Sequence, residues 1–143
     1  GGAGYEDGSA TQARFNSPTG ISVQGNTIYV ADSQNQAIRT VDFTTGQTST
    51  LCGKPSTVGN TDGLFKVVLS NDPNVINPLQ GLFSNPTRVV AHSSGWVVVT
   101  DTDNHRVRRL DLSTTTVRSI TGWTSCKSGI YTATGFCWTA AQC

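Results

Sequence analysis

The chain has 143 residues, a length typical of one domain. Its formal net charge is +1 and only 13% of its residues are charged, which argues against nucleic-acid binding because such binding needs clustered lysine and arginine. The only basic cluster, Arg106, Arg108 and Arg109, is expected to be a solvated face of a strand. No apolar run approaches the roughly 20 residues that span a bilayer, so no membrane span is predicted in this segment.

The chain contains no methionine and has no signal-like start. We therefore expect it to begin inside a longer or processed polypeptide.

Stretches rich in β-branched and aromatic residues, separated by polar turns, predict strands in the first half of the chain. Four strands are expected there, over residues 21–23, 27–31, 37–41 and 47–51. The polar turn between the second and third strands carries Asp32 and Asn35, whose side chains can bond nearby backbone N–H groups.

The same pattern returns in the second half of the chain and predicts four more strands. They cover residues 88–91, 96–100, 106–110 and 116–120. The landmarks of the two halves are separated by the same 69 positions: Asp32 and Asp101, Asn35 and Asn104, Asp42 and Asp111. Equal spacing across an aligned pattern indicates an internal duplication.

Four short antiparallel strands in a unit of roughly 40 to 45 residues are typical of a β-propeller blade. The sequence therefore predicts an all-β fold made of two four-stranded antiparallel blades, with a short disulfide-rich tail. We place the blades at about 18–53 and 86–122, an insert at about 64–82 and the tail at 123–143. Two blades cannot close a propeller, which typically has about four to eight, so the fold would be partial. The other blades would lie upstream or in another chain, or the unit would be an open fragment.

The insert is apolar for a loop, so it either packs on a neighbouring blade or meets a partner. Its candidate interaction residues are Val67, Val68, Leu69, Val75 and Ile76.

Asp32 and Asp101 invite a catalytic interpretation, but each ends a strand at the same point of its repeat. We expect Asp32, Asn35, Asp101 and Asn104 to be structural turn residues, with the carboxylates bonding turn amides. The run from Asp101 to Asn104 lacks the glycine and distal glutamate of an EF-hand loop.

Nothing in the sequence marks an activated nucleophile, a glycine-rich phosphate loop or a metal cluster. Of the two histidines, His105 is expected to be structural and His92 to lie on the surface. The sequence thus predicts no catalytic, cofactor-binding or metal-binding residues and no cofactor.

The chain has four cysteines, Cys52, Cys126, Cys137 and Cys143. Their even number permits two disulfides in three connectivities, and their spacing lacks the close pairs of structural zinc sites. We expect disulfides, and hence an extracellular or cell-surface location, with four buried thiols as the alternative.

The chain closely resembles NHL repeats, which build β-propeller blades. The first copy carries Asp7-Gly8, the run Ala-Arg-Phe-Asn at 13–16, the run Ile-Tyr-Val-Ala-Asp at 28–32 and Asn35; the second copy carries Asn104-His105-Arg106, the triplet behind the family name. The resemblance covers roughly residues 1–122 and implies that this region is a pair of NHL blades. It departs at the insert and at Thr100, where the usual residue before the aspartate is alanine.

The tail resembles the ephrin-receptor-like cysteine-rich modules of many ectodomains. It carries Cys126, Gly129 and Tyr131 in the order of that motif, followed by Cys137 and Cys143. Residues 123–143 would then be the start of such a module. NHL blades that run into such modules are similar to large secreted algal proteins, among them the mastigoneme proteins of flagellar hairs.

These observations predict a non-enzymatic extracellular structural or protein-interaction module within a larger secreted, cell-surface or filament-forming protein. Its partners would be other segments of the same polypeptide or further protein subunits, and self-assembly stays open. The alternative is part of a propeller enzyme, a metal-dependent lyase or hydrolase, whose site lies in absent blades. A third hypothesis, an intracellular NHL scaffold that binds RNA or protein, requires free thiols and a basic face, and the near-neutral charge argues against it.

Overall fold

The computed structural model describes residues 2–65 and 81–121, which form two antiparallel sheets. The first sheet, blade one, contains β1 (Pro18–Gln24), β2 (Thr27–Asp32), β3 (Ala37–Asp42) and β4 (Thr48–Gly53) in the order β1-β2-β3-β4. Each strand pairs with its chain neighbour, so blade one is a simple meander.

The second sheet, blade two, has the order β5-β9-β8-β7-β6. Its strands are β5 (Gly63–Leu64), β6 (Pro86–His92), β7 (Trp96–Asp101), β8 (Arg106–Asp111) and β9 (Thr116–Thr121). The all-β fold of two antiparallel blades is confirmed, and every predicted strand is present with ends that differ by up to three residues.

The two-residue strand β5 was not predicted. Gly63 pairs with Val117 on the outer edge of β9, while the Asp62 carboxylate accepts a hydrogen bond from the Ser119 amide at 2.9 Å. A strand of two residues is too short to show an alternation of apolar and polar residues in the sequence. It is defined only by its tertiary contact with β9.

Both blades turn in the same way between their second and third strands. Short 3₁₀ turns, Ser33–Asn35 and Thr102–Asn104, end on Gln36 and His105, which take left-handed conformations with φ of 56° and 53°. The first strand of each blade also has a register irregularity at the same place, between Pro18 and Gly20 and between Pro86 and Arg88. The duplication therefore extends to backbone detail that a strand pattern does not encode.

The hydrophobic core lies between the two blades. Blade one contributes Tyr29, Ala31, Ile38 and Cys52, and blade two contributes Phe83, Val89, Val97, Val99, Leu110 and Val117. Because burying one large apolar side chain contributes about 1.5–3 kcal/mol, this shared core is the main force that holds the sheets face to face.

The apolar insert residues Val67, Val68, Leu69, Val75 and Ile76 and the tail cysteines Cys126, Cys137 and Cys143 lie outside the described residues. The interaction role of the insert and the cysteine-rich module at 123–143 stay predictions.

Candidate functional site

A buried arginine organises the interior of blade one. Arg39, on β3, has no exposed side-chain surface, and its guanidinium donates to Asp32 Oδ2 at 2.9 Å and to Asp7 Oδ1 at 2.6 Å. It also donates to the carbonyls of Arg14 at 3.1 Å and Glu6 at 2.7 Å. One side chain thus ties the sheet to the segment that precedes β1, because a guanidinium presents five donors in a fixed fork.

The Asp32 carboxylate contacts different groups from those expected. It was expected to bond amides of its own turn, but no side-chain cap bond forms there. Its Oδ1 instead accepts from the Asn16 amide at 2.8 Å, and its Oδ2 accepts from Asn35 Nδ2 at 2.8 Å as well as from Arg39. The physical reason is the buried arginine, whose charge needs a buried carboxylate as partner.

Blade two repeats this arrangement. Asp101 Oδ1 accepts from the Ser84 amide at 2.7 Å, and Oδ2 accepts from Asn104 Nδ2 and from Arg108, each at 2.9 Å. Arg108 also donates to Asp62 Oδ1 at 2.8 Å. The expectation of a solvated basic strand face is therefore wrong for Arg108, which has no exposed side-chain surface.

The strand and turn patterns do not place Arg39 in this frame, and they place Arg108 on a solvated face. A signal was present, because the two arginines have the same 69-residue spacing as the aspartates, and an Asp-Gly pair (Asp7-Gly8, Asp62-Gly63) precedes each blade. Both oxygens of Asp32 and Asp101 are engaged by fixed donors. Such carboxylates are suited to joining backbone segments rather than to accepting a proton from a substrate.

The outer face of blade one, turned away from blade two, carries an open apolar cleft of about 400 Å³. We call it the blade-one cleft; it is lined by Phe15, Pro18, Thr19, Gly20, Ile21, Ile28, Val30 and Val41. Ile21 is 67% exposed, and Val23, two residues further along β1, is 53% exposed. No described residue covers these side chains.

The cleft is the counterpart of a surface that is buried in blade two. The positions of the two blades are paired by aligning Pro18 with Pro86 in the first strands and Asp32 with Asp101 in the later strands. The cleft residues Phe15, Ile21, Ile28, Val30 and Val41 then correspond to Phe83, Val89, Val97, Val99 and Leu110. All five blade-two residues are at most 3% exposed. The same repeat surface is thus covered by a sheet in one blade and left open in the other.

Cys52, a predicted disulfide candidate, is a free thiol at the end of β4 and is 2% exposed. Its Sγ donates to the Gly81 carbonyl at 3.2 Å, and burial raises the pKa of the thiol to about 12. A thiol held protonated in the core is neither a nucleophile nor a ready disulfide partner. Pairing among the other three cysteines, which lie outside the described residues, stays a prediction.

The two histidines lie apart. His92 is exposed and stacks on Trp96 with ring centroids 4.1 Å apart, while His105 forms the left-handed end of the second 3₁₀ turn. Within residues 2–65 and 81–121, no three histidine, cysteine or acidic side chains are grouped so that they could hold a metal ion. The same ranges contain no helix long and apolar enough to cross a membrane.

Comparison with known proteins connects this geometry to a repeat family. The NHL repeat profile matches residues 15–40 and 83–110. NHL repeat-containing protein 2 of Homo sapiens is 42% identical over 50 residues, which is 35% of this chain and 7% of that protein. Protein SUPPRESSOR OF QUENCHING 1, chloroplastic, of Arabidopsis thaliana is 32% identical over 127 residues, which is 85% of this chain and 12% of that protein. The chain therefore spans only a small part of the length of these relatives.

Two solved structures from Bacteroides thetaiotaomicron share the fold. A structural genomics protein of unknown function superposes with a TM-score of 0.62 at 21% identity, over 76% of this chain and 24% of that one. An auxiliary nutrient binding protein superposes with a TM-score of 0.62 at 20% identity, over 83% of this chain and 26% of that one. At this identity the likeness concerns the fold alone. The profile match and the similarity to NHL repeat-containing protein 2 identify residues 15–40 and 83–110 as NHL repeats, one in each blade.

Proposed function

We propose that this chain is a non-enzymatic protein-interaction module that binds through the open face of blade one. The observation that supports this most directly is the blade-one cleft, whose repeat counterpart is buried against another sheet. Ile21 and Val23 are more than half exposed on this face. A contiguous exposed apolar surface of this kind is typical of a protein-binding site.

The partner we propose is a protein surface, either another segment of the same polypeptide or a further subunit. An apolar sheet face is covered most effectively by a second sheet or a helix, since these present side chains in rows. We extend the proposal to an extracellular structural role in a secreted or filament-forming protein, similar to mastigoneme proteins. That extension is supported by the three clustered tail cysteines and by the resemblance of the tail to ectodomain modules.

Site-specific photocrosslinking tests the interaction. A benzophenone side chain is introduced at Val23, which lies on the open face, and at Phe43 as a control. Phe43 is 66% exposed and lies just after β3, between β3 and β4. We expect irradiation in the cells that produce the protein to give a protein adduct from position 23 and little from position 43. Absence of any crosslink from position 23, both within the polypeptide and to a second protein, or equal yields at both positions, would contradict the proposal.

Differential thiol labelling followed by peptide mapping tests the extracellular extension. We expect disulfide-linked peptides that contain Cys126, Cys137 or Cys143 in material purified without reductant, and a free Cys52. Labelling of all four thiols after denaturation without reductant would remove the argument for an oxidising compartment.

A further inference from the structure

The outer face of blade two, which is turned away from blade one, carries a pair of arginines that blade one lacks. Arg109 on β8 and Arg118 on β9 stand where blade one has Thr40 and Ser49. Both arginines alternate along their strands with buried residues, so their side chains point away from blade one. Arg118 is exposed, and the side chain of Arg109 is 42% exposed. The buried frame arginines are common to both copies, whereas this pair belongs to blade two alone.

The two arginines lie directly opposite one another across β8 and β9. Like charges in this position destabilise a sheet, because the β-carbons of opposed residues are only about 4.5–5.5 Å apart. The neighbouring carboxylate compensates little: Asp111 Oδ2 lies 3.8 Å from Arg109, and its Oδ1 accepts from the amide and hydroxyl of Ser113. No hydrogen bond or ion pair joins the Arg118 side chain to another described residue. The pair is therefore suited to an anionic group that comes from outside the sheet.

The arginine pair stays accessible even where a further sheet covers the inner strands of blade two. Thr40 and Ser49, the counterparts of the pair, lie on the face of blade one that blade two covers, since Ile38 on the same face of β3 belongs to the core. Nevertheless Ser49 is exposed and Thr40 is only half-buried. Packing of two blades thus leaves these positions on the outer strands open.

Exposed aliphatic side chains flank the arginine pair. Leu64, on β5, is 42% exposed and pairs with Thr116, which precedes Arg118 by two residues on the same face of β9. Ile120 is 49% exposed, and its counterpart in blade one, Leu51, packs against the core, which places Ile120 on the outer face of blade two. We call this surface the arginine patch; it consists of Leu64, Arg109, Arg118 and Ile120.

We propose that the arginine patch binds an acidic, partly apolar segment of a protein partner. Carboxylates of the segment accept from Arg109 and Arg118, because the planar guanidinium fork matches a carboxylate. Apolar side chains of the segment pack on Leu64 and Ile120. A sulfated polysaccharide would satisfy the charges but leave the aliphatic side chains unmatched, so the two features together favour a peptide. The arginine patch lies on the opposite side of the blade pair from the blade-one cleft, and it adds a second binding surface.

Fluorescence anisotropy with a labelled peptide tests the proposal on the full chain. Alternate positions of the peptide carry leucine, glutamate, glutamate and leucine with serines between them, so that one face of the extended peptide is both acidic and apolar. The matched control peptide has glutamines in place of the glutamates. We expect the glutamate peptide to bind about tenfold more tightly than the glutamine peptide. This difference should disappear at about 1 M salt, because exposed charges are then screened.

Substitutions to the residues of blade one remove the arginines. Arg109→Thr and Arg118→Ser introduce side chains that the same sheet position already accepts, so the melting temperature should change by less than about 4 °C. The double variant should bind the glutamate peptide about tenfold more weakly, and Arg118→Ser alone about fivefold more weakly. Arg14→Ser is the matched control for the single variant, since its side chain is 56% exposed on blade one. It should change binding by less than about twofold.

Charge reversal tests the geometry of the pair itself. Arg118→Glu places a carboxylate opposite Arg109, so the repulsion across β8 and β9 becomes an attraction. We expect this variant to melt about 1–5 °C above Arg118→Ser and to reject the glutamate peptide. Circular dichroism measures the melting temperatures, and anisotropy measures the binding.

Several results would overturn the inference. They are equal binding of the glutamate and glutamine peptides, binding that persists in the double variant or in Arg118→Glu, an equal loss in Arg14→Ser, and an Arg118→Glu chain that melts no higher than Arg118→Ser. A heparin fragment that binds the unmodified chain more tightly than the glutamate peptide does, and is lost in the double variant, would also overturn it in favour of a sulfated polysaccharide. None of these results affects the crosslink expected from position 23, so the proposed function is tested separately.

Discussion

Blade one and blade two contain the same buried ion-pair frame but differ in the residues that their faces present. Asp32 with Arg39, and Asp101 with Arg108, form ion pairs of 2.9 Å with no exposed side-chain surface. At one position the two blades differ: Gly20, buried where blade one meets blade two, corresponds to the exposed Arg88 of blade two. The residues that the two copies share form the buried frame of each blade, whereas positions that differ, such as Gly20 and Arg88, give the two blades different faces.

The largest expected effect concerns the shared frame. Asp101→Ala leaves the buried Arg108 guanidinium without its buried partner, and we expect a loss of about 3–5 kcal/mol in the free energy of unfolding. Asp32→Ala should cost a similar amount if the two frames are equivalent. Asp103→Ala is the control, since Asp103 is exposed and should change stability by less than about 0.5 kcal/mol. Urea unfolding followed by circular dichroism measures the three variants, and similar losses for Asp101 and Asp103 would contradict the role of the frame.

The next prediction contrasts the covered and the open face. Phe83 has no exposed surface in the core between the blades, so Phe83→Ala should cost about 3–5 kcal/mol. Its counterpart Phe15 is only half-buried at the edge of the cleft, so Phe15→Ala should cost less than half as much. The same urea titration measures both variants. Equal losses would mean that the blade-one face is as well packed as the face between the blades.

A smaller effect is expected at the close approach of the sheets. Gly20→Ala should destabilise the chain by about 1–3 kcal/mol, because the new methyl group meets the backbone of Thr87 and Arg88. Arg88→Ala, at the equivalent position of the exposed face, should stay within about 0.5 kcal/mol. Thermal melting measures both, and a stabilising Gly20→Ala, as strand propensity alone would predict, would contradict the close contact.

The smallest effect concerns the turns after the third strands. Hydrogen bonds from Thr45 lower the pKa of Asp42, and hydrogen bonds from Ser113 and Thr114 lower that of Asp111. The unfolded chain takes up these protons at higher pH than the folded chain does. The ionised carboxylates therefore stabilise the folded chain at pH values above the ordinary aspartate range. This stabilisation is lost as the pH falls through the lowered values.

The double variant Asp42→Asn and Asp111→Asn should therefore show a shallower loss of stability in acid than the unmodified chain. Urea midpoints over a pH series measure the slope. Superimposable slopes would show that these two turns do not contribute to the pH dependence of stability.

Much of the fold could be predicted from local sequence. The β-branched stretches, the polar turns and the 69-residue spacing predicted eight strands in two blades, because a strand with one buried face has a visible period and a duplicated unit repeats its landmarks. The turn positions of Asp32 and Asp101 followed from the same pattern. The rest of the frame did not, since Asp7 and Asp62 reach the two buried arginines only when the segment before each blade folds back along the outer edge of its sheet.

The sequence by itself determined that this segment carries two blades, the order of their strands and the polar turns, because these depend on neighbours in the chain. The tertiary structure decided which charges are buried, why Gly20 must be a glycine and which apolar face is left open. The role of Gly20 depends on the distance between the two sheets. Arg39 and Arg108 acquire their roles when the segment before each blade folds back against its own sheet.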